Sequence, residues 1–228
     1  MVKKDKFLYK YTSLPVLFYV LSECKLTLLP PDFWDDKNDS YFLKQYKKKY
    51  GFETVLALCF STCAETYHHW NTFAHGPAGV CIKFDQEMLI NSVCGKNKKM
   101  CSRGGRIRYQ NVCYAKIDHL KCTASELPFI KRLAFKNESE FRIVYECSNK
   151  TKTYDICISL RAIRGIVLSP WLPKTLQGPL IDVIQSIRGC ERLAITPSTI
   201  LDSEKWRSLA KQAISEVGSM VRTASEVE

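Results

Sequence analysis

The sequence predicts an α+β fold, in which a mixed and mostly antiparallel sheet is flanked by helices. Short apolar or alternating segments, typical of β-strands, recur along most of the chain. Helical patterns are concentrated at its start, in its middle and at its C-terminus, and they do not alternate regularly with the strands. A regular β-α-β alternation is the pattern of parallel sheets, so the observed order favours the α+β class.

The predicted strands are short segments rich in Val, Ile, Leu, Phe and Tyr and bounded by turn-forming residues. One of them, residues 53–62, is a continuous apolar run, which is typical of a central strand buried on both faces. In chain order the strands are predicted at 7–11, 25–30, 53–62, 78–84, 108–115, 140–147, 154–160 and 164–170.

The predicted helices carry apolar residues three and four positions apart. Thr12 and Ser13 can cap the first of them, and Gly76 and Gly189 can end two others. The helices are predicted at 14–24, 40–50, 64–76, 179–190 and 202–221. The 228 residues suit a single domain with a full core, whose C-terminal part is helical from about residue 178.

The chain is strongly basic. Lys and Arg number 34 against 23 Asp and Glu, which gives a formal net charge of +11. Basic residues cluster at 44–51, 96–109 and 131–136, and tyrosines are interleaved with the first two clusters. This pattern favours an acidic partner such as RNA, DNA, a nucleotide cofactor or an acidic protein surface. A solvated cationic surface explains the same residues without such a partner.

Eleven cysteines are present, and no Cys-x-x-Cys pair occurs among them. Several lie in apolar strand segments, where a free thiol behaves as a small hydrophobic side chain. The pattern predicts mostly reduced thiols and a cytoplasmic protein, because disulfides are rare in the cytosol. No segment approaches the ~20 apolar residues that a membrane-spanning helix needs, so no membrane partner is expected.

The segment KNESEFRIVYE carries two glutamates two positions apart at the start of a predicted strand. Glu138, Glu140 and Arg142 are expected to share one face, because residues two apart on a strand point to the same side. A half-exposed strand explains this pattern without any chemistry. A carboxylate pair placed for catalysis is the alternative, and it is favoured by Lys131 nearby and by Ser61 at the end of another strand.

Three motifs follow one another along the chain: an aromatic and basic first strand, the triplet Phe-Ser-Thr, and Glu-x-Glu followed by an apolar strand. This layout resembles the arginine–serine–glutamate branch of the ADP-ribosyltransferases. The resemblance implies an ADP-ribosyltransferase-like fold and NAD as the cofactor. It also implies transfer of ADP-ribose to a nucleic acid or protein acceptor, through an oxocarbenium-like state formed as the nicotinamide–ribose bond breaks.

The resemblance also assigns roles to individual residues. Glu140 takes the place of the catalytic glutamate that binds the ribose and stabilises the developing cation. Glu138 takes the place of the glutamate that orients or deprotonates the acceptor, and Ser61 that of the serine that steadies Glu140. Tyr9 or Tyr11 is expected to stack on nicotinamide. The implied cofactor-binding residues are Tyr9, Lys10, Tyr11, Thr62 and Arg142. Of these, Lys10 and Arg142 are the expected phosphate contacts.

Longer stretches are similar to a broad bacterial family of domains of unknown function. They are LYKYTSL, W-x-x-F-A-x-G-x-x-G-V-C-I-x-F, E-x-E-F-R-I and IRGIVLSP. Members of that family often occur in mobile or defence-associated settings. The similarity implies a toxin or phage-defence role, with an antitoxin as a further partner.

An Asp-rich loop, PPDFWDDKND, supports a different function. Oxygen ligands suit Mg²⁺, so Asp35, Asp36 and Asp39 are candidates for the centre of a metal-dependent nuclease. Turns and helix capping explain the same loop without a ligand. A nucleic-acid-binding protein is the other alternative.

Three histidines lie in or beside the third predicted helix, namely His68, His69 and His75. Contact with a substrate, a metal site completed by an aspartate, and ordinary helix positions are all compatible with their spacing.

Overall fold

A computed structural model of the chain describes residues 6–94 and 105–224. Most of the basic segment at 96–109 therefore lies outside the described residues. The strands of the described ranges are β1 Phe7–Ser13, β2 Lys25–Leu28, β3 Thr54–Ser61, β4 Gly79–Asp85, β5 Arg106–Asn111, β6 Cys113–Ala115, β7 Ile130–Arg132, β8 Glu140–Cys147, β9 Tyr154–Cys157, β10 Ile163–Leu168 and β11 Ile195–Pro197. The helices there are α1 Leu14–Glu23, α2 Lys37–Tyr50, α3 Tyr67–Phe73, α4 Gln86–Cys94, α5 Lys174–Gln185 and α6 Glu204–Ala224.

The main sheet of the described residues has seven strands in the order β11-β10-β4-β1-β3-β8-β5. Strands β10 and β11 run parallel, and every other neighbouring pair in this sheet is antiparallel. Two small two-stranded sheets, β2-β9 and β6-β7, lie beside it. The predicted α+β class, with a mixed and mostly antiparallel sheet and flanking helices, is confirmed.

Helices cover both faces of the main sheet. On one face, Leu8, Phe60 and Ile143 are buried in a large core cluster that also holds side chains of α1, α4 and α5. On the other face, Val144 belongs to a smaller cluster with α2, and Trp70 of α3 packs beside β1 and β4. None of the described helices is long and apolar enough to cross a bilayer. The described cysteines are free thiols.

The glycine-containing motif after α3 has a packing explanation. Trp70 is fully buried, and Gly76 has a φ of 85°, a left-handed value that favours glycine. A Cβ on Gly79 would lie 1.9 Å from the carbonyl oxygen of Ala74, so only a glycine allows the chain to pass this close. The motif therefore fixes how α3 enters β4.

The centre of the main sheet is forked. Strand β1 pairs with β4 along its whole length, from Phe7 to Ser13. With β3 it shares one register pair, Tyr9 opposite Ser61. Strand β3 is instead paired with β8 over eight residues. Beyond the shared pair, residues 10–12 of β1 and 57–60 of β3 both border a cleft.

Candidate active site

A cleft of about 860 Å³ occupies the fork between β1 and β3. This volume falls within the range of roughly 300–1,000 Å³ that is usual for small-molecule sites. Val16 and Tyr19 of α1 line one part of it, and Phe73 of α3 and Phe135 line another. Because the fork opens the middle of the sheet, side chains from both sheet faces border the same space.

The Glu-x-Glu motif lies at this cleft, but only its second glutamate is in a strand. Glu140 begins β8 directly opposite Ser61. Glu138 ends a short 3₁₀ helix, and Ser139 between them has a left-handed φ of 47°. The prediction that Glu138 lies on the strand face with Glu140 is therefore wrong. The turn at Ser139 nevertheless brings both carboxylates to the cleft.

Arg142 is fully buried and gives all five of its N–H groups to protein acceptors. Its Nε and Nη2 donate to the Glu140 carboxylate at 2.7 and 2.9 Å. Its Nη1 and Nη2 donate to the Asp39 carboxylate at 2.9 and 2.7 Å, and Nη1 also donates to the carbonyl of Pro128. No donor is left for a phosphate, so the predicted contact of Arg142 with the cofactor is incompatible with this geometry. Arg142 instead fixes Glu140.

Lys131 supplies the second cation of the site. Its Nζ lies 2.5 Å from the Glu138 carboxylate, 3.6 Å from that of Glu140 and 3.7 Å from that of Asp39. Burial lowers the pKa of Lys131, but the surrounding carboxylates outweigh it and the pKa is raised. The ammonium is therefore charged at neutral pH.

The two glutamates have pKa values that move in opposite directions. Burial raises the pKa of Glu140, but the charge and hydrogen bonds of Arg142, with Lys131, outweigh burial and lower that pKa to about 2. Burial also raises the pKa of Glu138, and Lys131 offsets only part of this effect. Glu140 is thus a fixed anion, whereas Glu138 is the stronger base of the pair.

The Ser-Thr pair holds the backbone of the turn and not the carboxylate of Glu140. The Ser61 hydroxyl accepts a hydrogen bond from the Cys63 N–H at 3.1 Å. Thr62 donates to the carbonyl of Ser139 through both its backbone N–H, at 2.8 Å, and its hydroxyl, at 2.9 Å. Thr62 is exposed and lies outside the residues that line the cleft, so its predicted role in cofactor binding is not supported by its position.

His69 also fixes the turn, a role that sequence patterns did not reveal. Its Nε2 lies 3.0 Å from the Glu138 carbonyl, and its Nδ1 lies 2.6 Å from the Thr66 hydroxyl. Because a carbonyl oxygen only accepts, Nε2 carries the hydrogen and Nδ1 accepts from Thr66. Burial lowers the pKa of His69, in keeping with a neutral ring.

The three predicted residues of β1 differ in their surroundings. Tyr9 is half-buried and borders the cleft. Tyr11 is buried and stacks on the ring of His69 at 5.1 Å, with Trp70 at its edge, so its ring already packs within the protein. Lys10 also borders the cleft, and burial lowers its pKa. Among the described residues, none forms a hydrogen bond or ion pair with its ammonium.

The Asp-rich loop does not assemble a metal centre. Both carboxylate oxygens of Asp39 accept from Arg142. Asp36 caps α2 by accepting from the backbone N–H groups of Asn38 and Asp39. Asp35 is exposed at the edge of the cleft. In the described part of the chain, no three His, Cys, Asp or Glu side chains are grouped as metal ligands. The two other histidines, His68 and His75, are exposed.

Comparisons with known proteins give one weak structural similarity. No family model matches the chain, and no curated protein matches it. Among solved structures, the chain is similar to DarT of Thermus sp. 2.9 in complex with NAD+, with a TM-score of 0.43 and 8% sequence identity. The match covers 87% of this chain and 98% of that one. A similarity at this level carries no conclusion about activity or site, and the similarity to an uncharacterised bacterial family stays a prediction.

Proposed function

We propose that this protein is an NAD-dependent ADP-ribosyltransferase-like enzyme that modifies a macromolecule in the cleft between β1 and β3. The observation that carries the proposal is the pair Glu138 and Glu140, held side by side at this cleft with pKa values that differ in direction. Such a pair provides a permanent anion and a proton acceptor in one site.

The charge of the cluster supports this chemistry. Three carboxylates face two cations, namely Asp39, Glu138 and Glu140 against Lys131 and Arg142. One formal negative charge is left over, which suits a step in which positive charge develops on a ribose. Arg142 holds Glu140 before any substrate enters, so little reorganisation is needed when that charge forms.

The cleft also has the size and the side chains that a dinucleotide requires. Its volume of about 860 Å³ is near the upper end of the usual range of roughly 300–1,000 Å³. Tyr9, Tyr19 and Phe73 offer aromatic rings, and Lys10 offers a cation without a protein partner among the described residues. We place nicotinamide near Tyr9 and a phosphate near Lys10.

In the proposed reaction, NAD supplies the ADP-ribosyl group and nicotinamide is the leaving group. The bond between ribose C1′ and the nicotinamide nitrogen breaks, and nicotinamide keeps the bonding electrons. Glu140 stabilises the positive charge that remains on the ribose. A nucleophile of the acceptor then bonds to C1′, and Glu138 takes the proton that this nucleophile loses.

The net charge of +11 favours an anionic acceptor, and we propose nucleic acid in preference to protein. A toxin or phage-defence role in the cytoplasm, with an antitoxin as partner, is proposed on the resemblance in sequence. A nuclease centred on Asp35, Asp36 and Asp39 is less favoured, because Asp39 is bound to Arg142.

Transfer of labelled ADP-ribose tests the proposal directly. Wild-type protein is incubated with NAD labelled in its adenylate half and with RNA, DNA or protein acceptors, and label in the acceptor is counted. Glu140→Gln keeps the shape of the side chain and removes its charge. It is expected to lower the rate by at least about 100-fold, the usual effect of losing one preorganised electrostatic contact.

Glu53→Gln is the matched control, because Glu53 is exposed and does not line the cleft. It is expected to leave the rate unchanged. No transfer by the wild type, or undiminished transfer after Glu140→Gln, contradicts the proposed function.

A further inference from the structure

Lys131 sits where three carboxylates meet, yet it is bound closely to only one of them. It lies on the short strand β7, and its side chain is 9% exposed. Its Nζ is 2.5 Å from Glu138, whereas Glu140 and Asp39 are 3.6 and 3.7 Å away. The ammonium therefore satisfies Glu138 first and lies within a small movement of the other two.

The two glutamates are held very unequally. Both oxygens of Glu140 accept from Arg142, and its backbone N–H donates to the Tyr114 hydroxyl at 2.7 Å. The Glu138 carboxylate, in contrast, has Lys131 as its hydrogen-bond partner within the described residues. Glu138 is the carboxylate that can change partners, and Lys131 is the group it would exchange.

An acceptor that reaches Glu138 meets this contact. To donate an O–H or N–H to Glu138, the acceptor has to share or replace the hydrogen bond from Lys131. An ammonium has three donors on a flexible stem, so it can turn towards Glu140 and Asp39 without leaving the cluster. Its charge then stays in the site while the Glu138 oxygen becomes free.

We propose that Lys131 is a positioning residue that holds Glu138 in the resting site and passes it to the acceptor by moving towards Glu140 and Asp39. This inference rests on the proposed function, because it describes how the base of that reaction is released. It adds a residue that the sequence motifs did not include, and it makes the acceptor itself the trigger for activating Glu138.

Removing the ammonium tests the contact without any assay of activity. Lys131→Met keeps the length of the side chain and removes its charge. The titration of the Glu138 carboxyl carbon is followed by NMR on protein labelled with carbon-13 glutamate, and Glu138→Gln identifies the signal. The midpoint is expected to move to higher pH in Lys131→Met, because the cation that favours the ionised form is gone.

Two further variants separate the charge from the fold. Lys131→Arg keeps a cation and is expected to leave the midpoint near its wild-type position. Lys136→Met removes an exposed lysine from the neighbouring 3₁₀ helix and is expected to leave it unchanged. Melting curves of all variants show whether each is folded at the pH values used.

The rate of label transfer provides the second readout. Ionised Glu138 is the base, so the acidic limb of the pH–rate profile is expected to move to higher pH in Lys131→Met and to stay in place in Lys136→Met. An unmoved midpoint or an unmoved limb overturns the inference while wild-type activity stands. A moved midpoint in a protein that transfers no label overturns the proposed function, and the acceptor-driven step with it.

Discussion

Replacing Arg142 by methionine is expected to cost about 3–5 kcal/mol of unfolding free energy at pH 7, the usual cost of removing one partner of a buried ion pair. The structure gives a similar figure by a separate route. The pKa of Glu140 falls from 4.5 to about 2, which corresponds to about 3 kcal/mol at about 1.4 kcal/mol per pKa unit. The variant also leaves Asp39 buried without its bidentate partner.

The loss is expected to depend on pH in a direction that identifies its cause. In the wild type the folded pKa of Glu140 is lower than the unfolded one, so its stabilising effect is present above about pH 4.5 and is lost as the pH falls towards 2. In Arg142→Met, burial is left unopposed, so the folded pKa lies above the unfolded one. The penalty then exists at pH 7 and is relieved as the carboxyl takes up a proton. The difference between variant and wild type is therefore smaller at pH 4 than at pH 7.

Urea unfolding at the two pH values measures both quantities. Arg164→Met is the matched control, because Arg164 also pairs with an aspartate, Asp85, but is 49% exposed. A surface pair of this kind is worth about 0–1 kcal/mol. Arg142→Lys keeps the charge without the planar fork and is expected to fall between the wild type and Arg142→Met. A loss below about 1 kcal/mol for Arg142→Met, or an equal loss at pH 4 and pH 7, refutes the assignment of Arg142 as the anchor of the site.

Two further predictions concern the turn that carries the glutamates. Ser139 has a φ of 47°, which costs a residue with a Cβ about 1–2 kcal/mol; Ser139→Gly is expected to raise the melting temperature by about 2–4 °C, and a fall would show that the turn is not strained. His69→Phe leaves the Glu138 carbonyl and the Thr66 hydroxyl unpaired and is expected to cost about 1–3 kcal/mol in urea unfolding at pH 7. Because burial lowers the folded pKa of His69, its contribution is present above the free value of 6.5 and is lost as the pH falls. The wild type should therefore lose more stability between pH 7 and pH 5 than His69→Phe does, and parallel curves would contradict this.

Local patterns predicted most of the strands because these carry their own periodicity. The apolar run at 53–62 became the central strand β3, and the segment at 140–147 became β8. The helix α4 was not predicted, although it fills residues between β4 and the segment outside the described residues. The helix α5 begins at Lys174 and contains Pro179, whereas sequence rules place a proline at a helix start.

The site was harder to predict because its defining contacts are long-range. Arg142 and Asp39 are 103 residues apart, and His69 and Glu138 are 69 apart. No periodicity connects such positions. The left-handed conformation of Ser139 was equally hidden, because glycine or asparagine usually marks it and serine does not. The motif resemblance brought Glu138 and Glu140 into consideration, but the fork in the sheet and the partners of each carboxylate follow only from the fold.

The stability that Arg142 provides does not by itself explain why this chain buries so many charges at one place. Replacing a buried ion cluster by well-packed apolar side chains is often neutral or stabilising, by about 1–4 kcal/mol. Val144 and Phe129, nearby on the same sheet face, show that this face accommodates apolar packing. The cluster of three carboxylates and two cations instead lies where the sheet is forked and a cleft opens. If its purpose were structural, it could lie anywhere under α2. Its position at the cleft favours a role in chemistry, and label transfer by Glu140→Gln tests that role separately from the unfolding of Arg142→Met.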